Sequence, residues 1–398
     1  MALYVKKFGG SSVATLEKMR HIVSRVLNDK KEEDQIIIVV SAMGNTTDDL
    51  LHLASKVENN PFNREMDMLI STGEQVSISL MAMIFNSMGT PAISLTGAQA
   101  GIIAEGVFGK GNIVDIKPER VFKALNEGKV VIVAGFQGIT PQGDIITLGR
   151  GGSDTTAVAL AGAMEADICE IYTDVKGVYS ADPRIVPNAI KMKEITNAEM
   201  LELARLGAGV MHPQSVAMGK RYHVPIHVRS TFTHDSYSKQ MESNLICGVA
   251  QDDNVARIAV LGLENMPGTA GMLFSELASN EVPVDMIVQS ARKLDDKTID
   301  IIFTVASTDL HQAKFVLEQM KKQGKINKVM YDDNCAKVSI VGPEMLGTPG
   351  VAARIFGSLG KDNINIDIVS TSKNSISCLI PRTYINKAIC AIHDEFFK

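Results

Sequence analysis

The sequence has 398 residues, of which 45% are hydrophobic and 21% are charged. At roughly 100–200 residues per domain, this length predicts two or three domains, each with a buried core. Lys and Arg total 40 against 45 Asp and Glu, which gives a net charge of −5, and there is no Trp. These values argue against a nucleic-acid-binding protein, because they indicate neither a cationic surface nor a base-stacking surface.

The five cysteines are scattered and form neither a CxxC pair nor a cluster with histidines. They are Cys169, Cys247, Cys335, Cys378 and Cys390. This pattern is typical of reduced thiols in a cytosol rather than of a disulfide framework or a zinc site. The N-terminus lacks the apolar core of a signal peptide, and no apolar run approaches the roughly 18 residues that span a bilayer. We therefore expect a soluble cytoplasmic protein with no membrane partner.

The first 230 residues or so alternate short β-branched runs with helical patterns. Several of the runs are continuously apolar, as expected for parallel strands that are covered on both faces. The predicted strands are Leu3–Val5, Ile36–Val40, Ala92–Leu95, Val130–Ala134, Ile168–Tyr172 and Val224–Val228. The predicted helices are 13–27, with Ser11 or Ser12 as its N-cap, 64–88 and 154–166. The pattern predicts an α/β, three-layer sandwich whose functional site lies at the carboxyl ends of the strands.

After a polar stretch, Thr231–Asn244, which we interpret as a linker, the chain repeats itself. Pro267-Gly268 recurs as Pro349-Gly350, and the same offset of 82 relates Asp285 to Asp367 without a gap. Each copy predicts a βαββα order, which suits a ferredoxin-like module. The predicted domains are therefore residues 1–230, a linker at 231–244, and two modules at 245–333 and 334–398.

Two glycine-rich loops are the strongest chemical signals in the first domain. The first, Lys7–Ser12 (KFGGSS), joins a predicted strand to a predicted helix, and its glycines would let backbone N–H groups approach a phosphate. The second, Gly149–Thr156 (GRGGSDTT), also leads into an apolar helix. Each alone could be a strand-to-helix turn, but two in one sheet domain reinforce a ligand site. Neither is a Walker A loop, and the absence of G-x-G-x-x-G weakens a dehydrogenase interpretation.

Three weaker signals follow other predicted strands or lie in a helix. Ser41–Thr47 is a polar turn after a strand, and Tyr172–Arg184 is a long polar loop of the kind that often binds a ligand. Glu74 lies among apolar residues, where a charge needs a partner, although an ion pair within its helix is an equally good explanation. The eight histidines form no metal or catalytic motif, and His212 before Pro213 is best interpreted as structural.

Taken together, these strings resemble the aspartate kinases (aspartokinases) of the amino-acid kinase family. The most specific segments are TLGRGGSDTTAVALA (147–161) and IYTDVKGVYSADPRIV (171–186), and the C-terminal pair resembles the family's tandem ACT modules. The resemblance implies an amino-acid kinase fold followed by two ferredoxin-like ACT modules. It also implies transfer of a phosphoryl group from ATP, with Mg²⁺, to the side-chain carboxylate of L-aspartate, in lysine, threonine, methionine and diaminopimelate biosynthesis.

The resemblance also implies roles for individual residues. Those of the catalytic centre are Lys7 and Asp154. Those that contact ATP are Lys7, Phe8, Gly9, Gly10, Ser11, Thr173, Asp174, Tyr179, Asp182, Arg184, Gly209 and Val210. Those that contact aspartate are Ser41, Thr47, Glu74, Phe136, Arg150 and Ser153, with Glu74 on the ammonium group and Arg150 on a carboxylate. No protein-ligated metal is implied, since Mg²⁺ arrives with ATP.

The ACT pair implies feedback by lysine, threonine or both. The residues that would bind an effector are Met266, Gly268, Thr269, Ala270, Asp285, Gln289, Asn363, Ile364 and Thr371. Relatives often have Glu where this chain has Lys373, and this charge reversal bears on effector binding. The alternative for the pair is a pure dimerisation module. Relatives form homo-oligomers through ACT pairing, and some add a regulatory subunit from an internal start, for which Met241 stands at a suitable place.

Two other functions remain open from the sequence alone. One is a kinase of the same fold that acts on a different acid, such as glutamate or carbamate; the ACT pair and the Glu74–Arg150 combination argue against it. The other is a catalytically inactive amino-acid sensor. The intact Lys7, Glu74, Arg150 and Asp154 argue against that interpretation, because an inactive relative should have lost some of them.

Overall fold

A computed structural model describes residues 2–57, 63–233, 246–290, 297–343, 345 and 348–398. Contacts within the chain divide the described residues into two compact units. Unit 1 contains Met1–Val178, Lys191–Arg205 and Gly209–Gln240, and unit 2 contains Tyr179–Ile190, Leu206–Ala208 and Met241–Lys398, in each case as far as they are described. Residues 234–244 of the predicted linker, with Met241, lie outside the described residues.

Unit 1 is built on a parallel sheet of six strands, and four further strands form a second sheet. The strands of the whole unit, in chain order, are β1 (Leu3–Phe8), β2 (Gln35–Val40), β3 (Ala92–Leu95), β4 (Ile102–Glu105), β5 (Asn112–Ile116), β6 (Val130–Ala134), β7 (Gln137–Ile139), β8 (Ile145–Thr147), β9 (Ile168–Thr173) and β10 (Ile226–Ser230). The six-stranded sheet has the order β10-β9-β1-β2-β6-β3. It contains all six predicted strands. β1 extends three residues further than predicted, so that Lys7 lies on the strand rather than in the turn.

Helices cover both faces of this sheet. They are α1 (Leu16–Asp29), α2 (Thr46–Ser55), α3 (Arg64–Ile70), α4 (Thr72–Ser87), α5 (Glu119–Asn126), α6 (Gly152–Ala163), α7 (Asn197–Arg205) and α8 (Pro213–Tyr222). Alternate residues of β2 belong to two different cores: Ile37 and Val39 pack with α6, whereas Ile36, Ile38 and Val40 pack with α1 and α4. A strand that is apolar at every position is what this double burial requires. The predicted three-layer sandwich is confirmed.

Two features of unit 1 differ from the sequence predictions. Strands β4, β5, β7 and β8 form a second, mixed sheet of order β5-β4-β7-β8 that was not predicted, because these short strands lack a continuous apolar run. The N-cap of α1 was wrongly placed at Ser11 or Ser12. Thr15 caps the helix by accepting a hydrogen bond from the Lys18 amide, and residues 10–15 form a turn.

The helical stretch Arg64–Ser87, formed by α3 and α4, is long and apolar enough by composition to cross a membrane. More than half of its most apolar window is buried inside the structure. Its buried residues include Asp67 and Glu74, which accept hydrogen bonds from backbone N–H groups of other elements. These contacts are those of a core helix in a globular domain.

Unit 2 contains two βαββα modules, as the internal repeat predicts. Its strands are β11 (Gly248–Asp252), β12 (Val255–Glu264), β13 (Ile287–Gln289), β14 (Thr298–Ala306), β15 (Lys328–Asp332), β16 (Cys335–Val341), β17 (Ile368–Thr371) and β18 (Ser375–Pro381). Its helices are α9 (Thr269–Ser279), α10 (Leu310–Lys322), α11 (Val351–Lys361) and α12 (Ile385–Phe397). Gly268 and Gly350 precede α9 and α11 with φ of +96° and +89°, so both Pro-Gly turns use the same left-handed conformation.

The two modules of unit 2 are connected by the strand β11 and by two ion pairs that run from one module to the other. The sheets have the orders β13-β14-β12-β15 and β11-β16-β18-β17, so β11, which precedes the first module in the chain, pairs with β16 of the second. Arg257 and Lys337 are each the third residue of a module's first strand. Arg257 binds Asp367 at 3.0 Å, and Lys337 binds Asp285 at 2.5 Å. Each basic residue thus pairs with the acidic residue of the other module.

Candidate active site

Lys7 and Asp154 form an ion pair at the carboxyl end of the parallel sheet. Lys7 lies near the end of β1, and Asp154 lies in the first turn of α6. Lys7 Nζ is 2.5 Å from Asp154 Oδ1, and each side chain is about one-eighth exposed, at 12% and 13%. The two predicted catalytic residues are therefore brought together by the meeting of the two glycine-rich loops. The ion pair fixes the position of the Lys7 ammonium group at this edge of the sheet.

The turn that follows β1 is held close to the end of β2. Ser12 N donates to Gly9 O, and Gly44 N donates to Gly10 O. A Cβ at Gly10 would lie 2.9 Å from Ala42 O, so this position has room only for glycine. A Cβ at Gly9 would lie 3.5 Å from Lys7 Nζ, so the backbone of the turn passes close to the Lys7 side chain, and the nearby Ser11 is exposed.

Glu74 is a buried carboxylate with one oxygen that lacks a partner. Its side chain projects from the first turn of α4 and the residue is 2% exposed. Ala42 N donates to Oε1 at 3.0 Å, whereas Oε2 has no hydrogen-bond partner within the part of the chain that the structure describes. Burial raises the pKa of Glu74 to about 7, against a smaller lowering by the Ala42 N–H. A buried, half-satisfied carboxylate of this kind favours a cationic ligand.

A continuous set of contacts connects Glu74 to Lys7. Glu74 binds Ala42, the neighbouring Ser41 binds Ser153 through their hydroxyls at 3.0 Å, and Ser153 precedes Asp154, which binds Lys7. The carboxyl end of β2 and the start of α6 thus carry the same site. Thr47, another predicted site residue, lies in the first turn of α2 and is partly exposed.

Phe136 has a strained backbone conformation, and Arg150 lies between two glycines in left-handed conformation. Phe136, just after β6, has φ of +69°, which is unusual for a residue with a side chain, and its amide donates to Thr156 Oγ1. Gly149 and Gly151 flank Arg150, and both have φ of +70°. Arg150 is exposed, and no described residue pairs with its guanidinium. The loop therefore carries an exposed cation two residues before the start of α6, whose Ser153 and Asp154 belong to the site.

His212 packs against the second glycine-rich loop, a position that the sequence reasoning did not anticipate. A Cβ at Gly151 would lie 2.2 Å from His212 Cβ. The imidazole Nδ1 accepts from the Gln214 amide at the start of α8, and burial lowers the pKa of His212, partly opposed by Asp154. Its structural role as a helix cap is therefore combined with support of the loop that carries Arg150.

The end of β9 and a neighbouring cavity complete this edge of unit 1. Thr173 ends β9 and donates through its hydroxyl to Asp174. Further along the chain, a cavity of about 460 Å³ is lined by Val178, Met192, Met200, Met211 and Val228 among others, with Lys191 and Lys193 also on its wall. Glu194 also lies on this wall, and the cavity was not predicted, because the segment 191–197 carries no motif. Gly209 and Val210 lie in the loop before α8.

The remaining residues predicted for the nucleotide belong to unit 2. Tyr179, Asp182 and Arg184 lie in the segment Tyr179–Ile190. Arg184 makes a two-pronged contact with Asp182, with Nη2 to Oδ2 at 2.7 Å and Nε to Oδ1 at 3.0 Å. The Arg184 side chain holds the pKa of Asp182 below its usual range.

The predicted effector residues lie on matching elements of the two modules of unit 2. Met266 is 55% exposed in the turn before α9, Thr269 is buried, and its hydroxyl donates to Glu264 O. Asp285 precedes β13, and its side chain is 58% exposed although it binds Lys337. The others follow the same pattern around α9, β13, α11 and β17, namely Gly268, Ala270, Gln289, Asn363, Ile364 and Thr371.

Comparisons with known proteins identify the family. Residues 2–230 match the Amino acid kinase family, and residues 258–320 and 338–396 match the ACT domain. An aspartokinase from Bacillus sp. (strain MGA3) is 46% identical over 402 residues, which cover 100% of this chain and 97% of the relative. The chain belongs to the aspartokinases of the amino acid kinase family.

Two further comparisons agree with this membership. An aspartokinase from Mycolicibacterium smegmatis is 45% identical over 405 residues, covering 100% of this chain and 96% of the relative. The crystal structure of E. coli aspartokinase III in complex with aspartate and ADP superposes with a TM-score of 0.84 over the whole of both chains. At 24% identity this likeness shows a shared fold. It confirms the predicted fold class, a parallel α/β kinase domain followed by ACT modules.

Proposed function

We propose that this aspartokinase transfers the γ-phosphoryl group of MgATP to the side-chain carboxylate of L-aspartate, giving 4-phospho-L-aspartate and ADP. The observation that carries the proposal is the contact chain from Glu74 through Ser41 and Ser153 to the Lys7–Asp154 pair. At one end of this chain of contacts, Glu74 is suited to bind an ammonium group. At the other end, Lys7 is suited to bind a phosphoryl group. An amino acid whose side chain accepts the phosphoryl group fits such an arrangement.

The chemistry requires no general base from the protein. The aspartate side chain has a pKa of about 3.9, so it is already ionised at neutral pH and can attack phosphorus directly. What the protein supplies is in-line positioning and neutralisation of the charge on the transferring group. Lys7 supplies that positive charge, and Asp154 orients Lys7 through their ion pair. The lack of a histidine motif is therefore compatible with the reaction.

Opposite charges recognise the two ends of the amino acid. The partnerless Oε2 of Glu74 receives the ammonium group, and Arg150 binds the α-carboxylate through its planar guanidinium. Ser41, Thr47, Phe136 and Ser153 line the pocket between them. The strained backbone at Phe136 and the glycines around Arg150 set the direction of these side chains.

MgATP binds along the turn after β1 and the end of β9. Phe8, Gly9, Gly10 and Ser11 surround the phosphates, with Thr173 and Asp174 opposite, and Mg²⁺ enters as the ATP complex. The base occupies the cavity of about 460 Å³ beside Val178 and Met211, near Gly209 and Val210. The cavity's apolar floor suits a planar ring. The assignment of Tyr179, Asp182 and Arg184 to the nucleotide stays a prediction from the resemblance.

Regulation is assigned to unit 2. Lysine, threonine or both bind at the turns before α9 and α11 and near Asp285, and lower the activity of the kinase unit. Pairing of ACT modules from different copies gives a homo-oligomer, to which a regulatory subunit starting near Met241 can add. The enzyme acts in the cytoplasm, at the first step of lysine, threonine, methionine and diaminopimelate biosynthesis.

The test is ADP release from MgATP with L-aspartate, with L-glutamate as the matched acceptor, each with and without lysine and threonine. We expect release with aspartate only, suppressed by lysine or threonine. Release with glutamate at the same rate would contradict the proposed substrate. Release that neither effector suppresses would contradict the proposed regulation, and no release under any condition would favour the inactive sensor.

A further inference from the structure

Three segments around the nucleotide end of unit 1 meet at Thr231, the residue that follows β10. Thr231 is fully buried, and its amide donates to Thr173 O, the last carbonyl of β9, at 3.0 Å. Its Oγ1 is 3.3 Å from the same carbonyl and 2.7 Å from Ser12 Oγ. Ser12 is also fully buried and belongs to the glycine turn after β1. One side chain therefore links the glycine turn to the end of β9.

The hydrogen bonds of Thr231 have a fixed direction. A hydroxyl group carries a single proton. The Thr231 hydroxyl donates to Thr173 O, which can only accept, so the proton between the two hydroxyls comes from Ser12. The result is a relay in which Ser12 donates to Thr231 and Thr231 donates to Thr173. Valine at 231 keeps the shape of threonine but removes both bonds, whereas serine keeps them.

The backbone of Thr231 is fixed from a further direction by α1. Arg25 Nη1 donates to Ser230 O at 2.9 Å and to Thr231 O at 2.7 Å, and Arg25 is 5% exposed. The buried guanidinium therefore holds the end of β10 against α1. The backbone of Thr231 is thus fixed by α1 and by β9, and its side chain adds a contact that fixes Ser12 in the glycine turn.

We propose that Thr231 is a positioning residue for MgATP: its hydroxyl fixes the spacing between the glycine turn at Gly9–Ser12 and the end of β9 at Thr173–Asp174. Neither hydroxyl touches the nucleotide, because both are buried among protein atoms. The Thr231 hydroxyl acts through the geometry of these two segments. The inference rests on the proposed function, which puts the two segments on either side of the ATP phosphates. The residues proposed to bind aspartate, among them Ser41, Glu74 and Arg150, make none of the hydrogen bonds of this relay.

The experiment measures KM for MgATP and for L-aspartate separately in Thr231→Val, Thr231→Ser and Ser12→Ala. We expect Thr231→Val and Ser12→Ala each to raise KM for MgATP by about fivefold to tenfold, the range for one or two lost hydrogen bonds. KM for aspartate should change less than about twofold, and Thr231→Ser should restore KM for MgATP to near the wild-type value. The double variant Ser12→Ala/Thr231→Val should be no worse than Thr231→Val, because the two residues share one bond.

Thr233→Val is the matched control. Thr233 lies two residues further along the same segment, and its buried hydroxyl has no hydrogen-bond partner among the residues described. The Thr233→Val variant should therefore have the same KM for MgATP and the same KM for aspartate as the wild type. If Thr231→Val does not fold, Ser12→Ala and Thr231→Ser still decide the question. An unchanged KM for MgATP in Ser12→Ala, an equal rise of both KM values, or strict additivity in the double variant would overturn the proposal. If the proposed function itself is wrong, the wild-type protein will release no ADP with aspartate, and this outcome is distinct from an unchanged KM in a variant.

Discussion

At the scale of single residues, the site depends on charges that the fold holds in incompletely satisfied environments. Glu74 is buried with a partnerless oxygen, and Lys7 is held by Asp154 with little other support. The sequence identified both residues, because glycine loops and a charge in an apolar stretch are visible in it. It could not identify Ser12 or Thr231 as partners, because their bond joins residues 219 positions apart. It also could not foresee the left-handed backbone at Phe136, which tertiary contacts impose.

Glu74 should make aspartate binding dependent on pH. Its pKa is raised by burial to about 7 in the free enzyme, and only the ionised form attracts an ammonium group. We therefore expect kcat/KM for aspartate to fall by roughly tenfold per pH unit below pH 7 and to level off above it. Glu74→Gln should lower kcat/KM at pH 8 and abolish this dependence. A pH profile of Glu74→Gln that parallels the wild type would contradict the assignment.

The same shift affects stability. Because the pKa of Glu74 is higher in the folded than in the unfolded chain, the folded state binds the extra proton between about pH 4.5 and 7. The contribution of the protonated Glu74 to the free energy of unfolding is complete below pH 4.5 and is lost as the pH rises through 7. We expect Glu74→Gln to raise the melting temperature more at pH 8 than at pH 5, as measured by thermal denaturation. An equal change at both pH values would contradict titration of Glu74 between pH 5 and pH 8.

Lys7 should contribute mainly to turnover. Lys7→Ala removes the positive charge beside the transferring phosphoryl group, so kcat should fall by at least about a hundredfold, as on loss of a transition-state contact. Lys30→Ala, at the C-terminal end of α1 and outside the proposed site, is the control and should leave kcat unchanged. Steady-state ADP release measures both. A near-normal kcat in Lys7→Ala would exclude its assigned role.

At the scale of elements, the parallel sheet was predictable and the parts that shape the site were less so. The central strands β2 and β6 carry continuous apolar runs, because they are buried on both faces, and such runs are easy to recognise in a sequence. The short strands of the second sheet carry no such run, although β8 leads directly into the loop that carries Arg150. Asp67 connects these parts: its buried carboxylate accepts bonds from Thr147 and Gly109, which fixes β8. No local sequence pattern predicts such a contact, because Asp67 and Thr147 are 80 residues apart.

The loop that carries Arg150 should tolerate no side chain at Gly151. Gly151 has φ of +70°, and a Cβ there would lie 2.2 Å from His212 Cβ, so Gly151→Ala must move His212 or the loop. We expect kcat/KM for aspartate to fall by about tenfold or more, as a displacement of about 1 Å in a positioning group can produce. Gly128→Ala is the control, since Gly128 has φ of +74° with no atom within 4 Å of a Cβ. Similar activity of the two variants would contradict this role of the loop.

At the scale of the whole molecule, the internal repeat was visible in the sequence but its consequences were not. The repeat predicted two βαββα modules, which the structure contains in unit 2. It did not predict that β11 would join the second module's sheet or that Arg257 and Lys337 would pair across the modules. Both features arise from contacts between the copies, which a comparison of one copy with the other cannot reveal.

The crossed ion pairs allow the effector site to be tested. Asp285→Ala removes a half-exposed carboxylate that we assign to effector binding, so the lysine or threonine concentration for half-inhibition should rise by about tenfold, the loss of one charged hydrogen bond. Asp367→Ala is the matched control, because it breaks the equivalent pair with Arg257. Inhibition curves relative to each variant's own uninhibited rate give the comparison. Identical shifts in both variants would mean that the pairs matter for module contact and not for the effector.

The pairing of β11 with β16 also limits where the regulatory half can be separated from the rest. Because β11 enters the chain before the first module but completes the sheet of the second, the first module is an insertion within the second. A cut between residues 333 and 334 would remove an outer strand from one product and leave that strand without a sheet in the other. A fragment that starts before Gly248 keeps all eight strands. A fragment that starts upstream of β11 therefore keeps both sheets of unit 2 whole, although it lacks Tyr179–Ile190, which belongs to the same unit.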